Sequence, residues 1–396
     1  MKKESKADMM RDRIKVMGLI TGLNTGGAEM MLYQTMTRLD RSIYEPVVVS
    51  LERGGKLADR LRENGIRVYE LGFTKRPSGW PRLFQLLRIL KREQPHVLHA
   101  YMFHADLIGR LFGRMAGVPV VISSIRNENI GGRLRERLLG MTKRYADRVT
   151  AVCQAAGERQ VKSGAVSREQ LTVIYNGVDL ARFEAVQGES RCALRRELAI
   201  PENHFVFATV GRMERQKNHL RLLESLADLE PAKRRITLLL IGDGSLRPNI
   251  ERKIAELGLE ANVCLAGLRS DVPRLLRAAD AFVLASLWEG FPNVVIEAMA
   301  SALPVIATRS GGVGEILDPP HSGFIVEPDD RAEMTKAMSA LAAMDGRIRE
   351  RMGQYAKHAV SERFTLERTL EQTEQLYLSL LSTKGVGMPY ERTQTG

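Results

Sequence analysis

Twice along the chain, a short run of apolar and β-branched residues ends in a glycine turn and passes into a helix. The first is IKVMGLI at 14–20, followed by TGLNTGGAEM and a helical stretch over 28–39. The second is FVFATV at 205–210, followed by Gly211 and a helical stretch over 220–229. Each opening is followed by more of the same alternation. Short apolar runs fall at 46–51, 67–71, 96–99, 119–123, 149–152 and 173–174, then at 236–241, 263–265, 281–284, 304–307 and 323–326. Helical stretches lie between many of them, among them 57–64, 82–93, 104–116, 134–145, 247–257, 272–279, 294–300 and 332–344. Runs that do not alternate with polar residues suit strands buried on both faces, and a helix between successive strands makes their sheet parallel. The expected fold class is therefore α/β, with two tandem Rossmann-like doubly wound domains facing across a cleft. Such sheets bind ligands outside the carboxyl ends of their strands.

A chain of 396 residues holds two domains of ordinary size. The expected division is a disordered leader over 1–13, a first Rossmann-like domain over 14–177 and a second over 178–364. A C-terminal helix over 365–381 and a disordered tail over 382–396 follow. No apolar run approaches the roughly 18–20 residues of a membrane span. The charged start MKKESKADMMRDR lacks the apolar core of a secretory signal. Cys153, Cys192 and Cys264 lie far apart without a CxxC, which suits a reducing compartment and argues against a structural zinc. Cytoplasmic residence is the expectation.

Residues 1–180 hold 31 Lys and Arg against 18 Asp and Glu, whereas the remainder holds 28 against 29. The whole excess of +12 thus sits in the first half and points to an anionic partner there. An inner-membrane face is one such partner. Leu134, Leu138 and Leu139, interleaved with Arg133, Arg135, Arg137, Lys143 and Arg144, form the candidate surface. The leucine stripe of 82–93 is expected to pack on the sheet instead. Nucleic acid is not an expected partner, because the basic residues have no aromatic platform or reading helix among them.

The chemistry concentrates in SLWEGFPNVVIEAMAS at 286–301. Pro292 and Asn293 are helix-start residues, so the N–H groups of 293–295 are expected to be free at the positive end of a helix dipole, a ready anion site. Glu289 and Glu297 bracket that site. Carboxylates repel a phosphate but accept hydrogen bonds from hydroxyls, so a phosphate joined to hydroxyl-rich groups fits best. A nucleotide-sugar has that layout. Upstream, GRMERQKNH places Arg212 and Lys217 after the strand at 205–210, where two cations can neutralise a diphosphate.

GRMERQKNH, LLIGDGS, LAGLRSDVPRLLRAAD, EGFPNVVIEAMA, PVIAT and GGVGEIL, in that order, resemble the retaining glycosyltransferases of the GT-B fold, and more narrowly glycosyltransferase family 4. GGAE near the start, MFHAD and YNGVD agree. The resemblance implies that Glu289 holds hydroxyls of the transferred sugar and Glu297 those of the ribose. Asn293 and Val294 would offer backbone N–H groups to the diphosphate, and Arg212 and Lys217 would bind it by charge. Phe291 falls within the donor motif, and Arg269 and Val272 would flank the base, mainly through backbone. Gly26 and Gly27 would let a first-domain loop approach the phosphates, and His104 would touch the donor sugar near the reacting centre. Arg126 and Asn127 are acceptor-side candidates.

No cofactor is expected beyond the nucleoside-diphosphate sugar as co-substrate. No DxD run offers to hold a metal. The implied reaction moves a hexose or N-acetylhexosamine from UDP or GDP to a hydroxyl of a lipid-linked or growing polysaccharide acceptor. Rival readings are a nucleotide-sugar epimerase, which needs no acceptor, and a non-catalytic nucleotide-sugar-binding subunit. A phosphorylase would need a pyridoxal phosphate lysine site, which nothing in the sequence resembles.

Overall fold

The structure is a computed structural model and describes residues 13–24, 26–73, 81–128, 130–230 and 235–386. The expected leader, apart from its last residue, and the tail beyond 386 lie outside the described residues. The chain divides into two compact units. One runs to Tyr175 and resumes at Thr369; the other is Asn176–Arg368.

The first unit contains β1 (Ile14–Ile20), β2 (Tyr44–Ser50), β3 (Arg67–Glu70), β4 (Val97–Tyr101), β5 (Val120–Ile125), β6 (Arg148–Ala151) and β7 (Leu171–Val173). They form one sheet in the order β3-β2-β1-β4-β5-β6-β7, every pair parallel. The period-2 geometry of a strand explains why these runs are apolar throughout. Val16 and Ile20 enter one core cluster, and Met17 and Leu19 of the same strand enter another. The last helix, Leu366–Thr383, extends two residues beyond the expected 381. It delivers Leu376, Tyr377, Leu380 and Leu381 to the first unit's core.

The second unit contains β8 (Phe205–Val210), β9 (Ile236–Ile241), β10 (Val263–Gly267), β11 (Ala281–Leu284), β12 (Val305–Thr308) and β13 (Gly323–Val326). Their order is β10-β9-β8-β11-β12-β13, again all parallel. The α/β class and the doubly wound order of both sheets follow the sequence expectation.

Two helices carry too little periodic apolar signal to be read from sequence. Gly346–Arg363 is largely charged and buries only Met352, Gly353, Ala356 and Val360. Gly353 is required there because a Cβ would overlap the Ala302 carbonyl, so close is the end of the neighbouring helix. Gln154–Lys162 starts on Cys153, whose Sγ accepts from the Ala156 N–H at 3.4 Å. Sulfur is a weak acceptor and an uncommon cap.

Candidate active site

In a doubly wound sheet, ligands bind where the strand order reverses, at the carboxyl ends of the two strands flanking that point. In the second unit those strands are β8 and β11. The segment after β8 carries Arg212, Gln216 and Lys217, and the segment after β11 carries Glu289. Residues 72 positions apart in the chain are thereby brought into contact. Lys217 Nζ lies 2.6 Å from Glu289 Oε1, and both side chains are largely buried.

Gln216 completes this clamp, and sequence reasoning missed it. Its carbonyl accepts from the Leu287 N–H at 2.8 Å. Its side-chain Nε2 donates to the Trp288 carbonyl at 2.7 Å and lies 3.4 Å from Glu289 Oε2. One residue thus fixes both the backbone and the second carboxylate oxygen of the Glu289 loop. Its position beside Lys217 was the available signal, but a neutral amide in a basic loop attracts no notice. Gln216→Ala is expected to lower kcat by about tenfold with little change in donor affinity, because a 1 Å drift of a positioned group weakens the transition state most. Steady-state kinetics check this; an unchanged kcat would remove Gln216 from the clamp.

The helix Asn293–Ala300 begins at the motif's centre, preceded by Pro292. Asn293 Oδ1 accepts from Asn176 Nδ2 at 2.7 Å, tying the helix start to the YNGVD segment. The expectation that all three N–H groups of 293–295 are free needs correction. Val295 N–H donates to the Pro292 carbonyl at 2.9 Å, because the first turn tightens there. Asn293 and Val294 open the same first turn. Phe291 is buried with its ring 5.6 Å from that of Phe364, so its side chain packs the unit.

Glu297 lies one turn further along. Burial pushes its carboxyl up to about 7, against the opposing pull of Arg182 and Lys217. Arg182, on the short helix Ala181–Glu184, is a second residue that sequence reasoning did not single out. The folded value lies above the ordinary 4.5. The stability Glu297 contributes is therefore present below that ordinary value and is lost as pH rises through about 7. Hydroxyl binding runs the other way, since the ionised carboxylate has full acceptor capacity. Nucleotide-sugar affinity should tighten by about tenfold between pH 6 and 8. Titration calorimetry on Glu297→Gln should show a flat profile; a slope equal to that of the parent would exclude Glu297 as its source.

Arg212 is exposed in the turn after β8. Arg269 is held locally by a two-pronged pair with Asp271, at 2.8 and 2.7 Å, and Val272 opens the short helix Val272–Leu276. Gly311, at φ +52, brings its backbone so close that a Cβ would overlap the Gly290 carbonyl. The Gly312 N–H donates to that carbonyl at 2.8 Å. The GGVG segment thus braces the Glu289 loop from behind.

The first unit has its own reversal point, between β1 and β4. Gly26 and Gly27 follow β1, and His104 follows β4. Gly26 is extended, a conformation open to any residue, and Gly27 opens the helix Gly27–Arg38. His104 is the second residue of the helix Phe103–Met115, its ring 5.2 Å from that of Phe103. Met102 before it holds φ +72, unusual for a residue with a Cβ and typical of strained turns at functional loops. The rival histidines have structural partners: His96 Nδ1 accepts from the Lys15 N–H at 2.9 Å, and His99 is buried with Nδ1 2.8 Å from the Tyr377 hydroxyl. Burial lowers Arg126 to about 10 against the attraction of Tyr101, Glu29 and Asp106, while Asn127 Oδ1 accepts from the Glu128 N–H.

Residues 25–182 match the family described as Glycosyltransferase Family 4, and residues 190–359 match Glycosyl transferases group 1. A UDP-Gal:alpha-D-GlcNAc-diphosphoundecaprenol alpha-1,3-galactosyltransferase of Escherichia coli is 26% identical over 315 residues, 76% of this chain and 80% of that protein. A lipopolysaccharide core biosynthesis glycosyltransferase of Rhizobium meliloti is 25% identical over 370 residues, 91% and 96% of the two chains. Among solved structures, Anabaena HepE in complex with UDP superposes with a TM-score of 0.82 at 24% identity, covering 92% of this chain and all of that one, and so has the same fold.

Proposed function

Because the chain belongs to the group 1 and family 4 glycosyltransferases with the GT-B fold, we propose that it moves a hexose or N-acetylhexosamine from UDP or GDP to an acceptor hydroxyl, with retention and without a metal. The acceptor in this reading is a lipid-linked or growing glycan of the cell envelope or an exopolysaccharide. The Escherichia coli relative, whose name carries a diphosphoundecaprenol acceptor, supports that class.

The observation that carries the reading is the Lys217–Glu289 pair at the β8/β11 reversal point, on the segment that leads into the helix at Asn293. A phosphate-binding cation and helix start sit beside a carboxylate suited to hydroxyls. As the bond from the anomeric carbon to the diphosphate oxygen breaks, negative charge grows on the leaving group. Lys217, Arg212 and the N–H groups of Asn293 and Val294 stabilise that charge. The acceptor oxygen bonds to the anomeric carbon, and its proton passes to the leaving phosphate. Glu289 accepts hydrogen bonds from the sugar and Glu297 from the ribose. Gly26, Gly27 and His104 keep the roles that the resemblance implies.

The test is a thermal-shift panel of UDP-, GDP- and ADP-sugars, followed by transfer assays with and without EDTA. One nucleotide-sugar should raise Tm by several degrees, and EDTA should leave transfer unchanged. Absence of any shift would sink the donor assignment, and loss of transfer in EDTA would sink metal independence.

A further inference from the structure

Met102, two residues before His104, holds φ +72 and ψ +156, a region of the backbone map that is essentially glycine's alone. Such a backbone persists only where its surroundings over-determine it. The residue that does so lies four positions on. Asp106 donates its N–H to the Met102 carbonyl at 2.8 Å and closes the first helical turn. Its side chain reaches across to the neighbouring strand, where Oδ1 accepts from the Ser124 N–H at 3.1 Å. One residue thus ties the start of the helix Phe103–Met115 to the end of β5.

This clamp is sealed and supported from several elements. Asp106 and Ser124 are each 2% exposed. The Ser123 hydroxyl lies within reach of the same carboxyl and accepts from Arg110 Nε at 2.8 Å. Arg110, fully buried one turn beyond Asp106, sends Nη1 to the Leu139 carbonyl at 2.8 Å. Ser124 Oγ lies 2.8 Å from Thr150 Oγ1 on β6.

The charged groups that act on the Asp106 carboxyl are Arg110 from its own helix and Arg126 from the segment after β5. Burial nonetheless pushes the carboxyl up to about 7 against their pull. Burying an acid and a guanidinium together is costly, and packed apolar residues of similar volume often serve stability as well or better. What a satisfied polar network supplies beyond stability is one fixed geometry.

We propose that Asp106 is a positioning residue for glycosyl transfer: its clamp on Ser124 holds the strained Met102 turn, and with it the His104 imidazole, in the register that meets the donor sugar. Being buried, Asp106 reaches no substrate and acts only through His104. Without its carboxyl, Met102 relaxes toward an ordinary backbone and the helix start shifts. An error of about 1 Å near the reacting centre costs rate. Donor affinity is spared, because the second unit holds the diphosphate in the proposed reaction. The catalytic consequence rests on the glycosyl-transfer reading; the clamp itself does not.

The full chain and its variants are given UDP-glucose, UDP-galactose, UDP-N-acetylglucosamine and GDP-mannose in turn, without acceptor, and release of the nucleoside diphosphate is followed. Asp106→Ala should lower kcat about tenfold with the donor KM within about twofold of the parent's. Asp106→Asn keeps an oxygen for the Ser124 N–H and should lose only about threefold. In a His104→Ala background, Asp106→Ala should change kcat by less than about twofold, since the two residues act as a unit. Hydrogen exchange reads the clamp directly: the N–H groups of Asp106 and Ser124 should exchange at least about tenfold faster in Asp106→Ala, and those of the second unit at the parental rate. Parental kcat in Asp106→Ala, a loss that multiplies with that of His104→Ala, or parental exchange at Ser124 each overturns the proposal. A parent that turns over none of the four donors counts against the transfer reading; exchange at Ser124 then decides the clamp by itself. Should Asp106→Ala fail to fold, Asp106→Asn carries the same readouts.

Discussion

Glu289→Gln is expected to lower transfer by about 10²–10³-fold while leaving the protein folded. The substitution keeps the shape of the side chain and removes its charge. Lys217 Nζ, 2.6 Å from Glu289 Oε1, loses its counter-ion in a largely buried setting. In the proposed reaction the sugar loses an acceptor with two ionised oxygens, and the cation proposed to meet the leaving diphosphate loses its anchor. Both Glu289→Gln and Glu289→Ala leave the Lys217 charge uncompensated, at a cost of up to about 3–5 kcal/mol; Glu289→Ala removes the packed side chain as well and is the less stable of the two. Lys217→Met should cost as much in turnover as Glu289→Gln, and the double variant little more than either, because the two act as a unit. Single-turnover kinetics on the three variants check this. Losses that multiply would mean that the residues act separately, and parental rates in Glu289→Gln would remove the central claim.

Gly242→Ala should destabilise the second unit by about 3 kcal/mol and lower its Tm by about 6–12 °C. Gly242 sits at φ +145, and a Cβ there would overlap the Gly211 carbonyl oxygen. The cause is the stitching of neighbouring turns. Gly211 N–H donates to the Ile241 carbonyl at 3.0 Å, Gly242 N–H to the Gly267 carbonyl at 2.8 Å and Met213 N–H to the Asp243 carbonyl at 2.9 Å. The turns after β8, β9 and β10 thus form one hydrogen-bonded shelf, and Arg212 stands on it. Donor affinity should fall with stability. Gly188→Ala is the control, because its methyl meets open space and its φ is ordinary. Differential scanning calorimetry compares them; equal Tm values for both variants would show that the close approach at Gly242 carries no strain.

The alternation of apolar runs and helical stretches was enough to specify two parallel doubly wound sheets. The reason is local: a strand buried on both faces must be apolar throughout, and the helix that follows it enforces parallel pairing. The motif at 286–301 likewise pointed to a candidate site, because carboxylates and a helix start are properties of neighbouring residues. Gly346–Arg363 escaped notice because its stability comes from packing at Gly353 and Met352 and not from an apolar stripe.

What the sequence by itself determined, then, was the fold class and the residue types of the candidate site. The tertiary structure alone decided that Lys217 and Glu289 form one clamp. It also decided that Gln216 fixes it, that Asn176 holds Asn293, and that Leu139 turns inward while Met141 turns out. Each of these depends on which strand lies beside which, or on which face of a helix meets its neighbour. Those are long-range contacts whose partners lie up to 117 residues apart, and no local pattern encodes them.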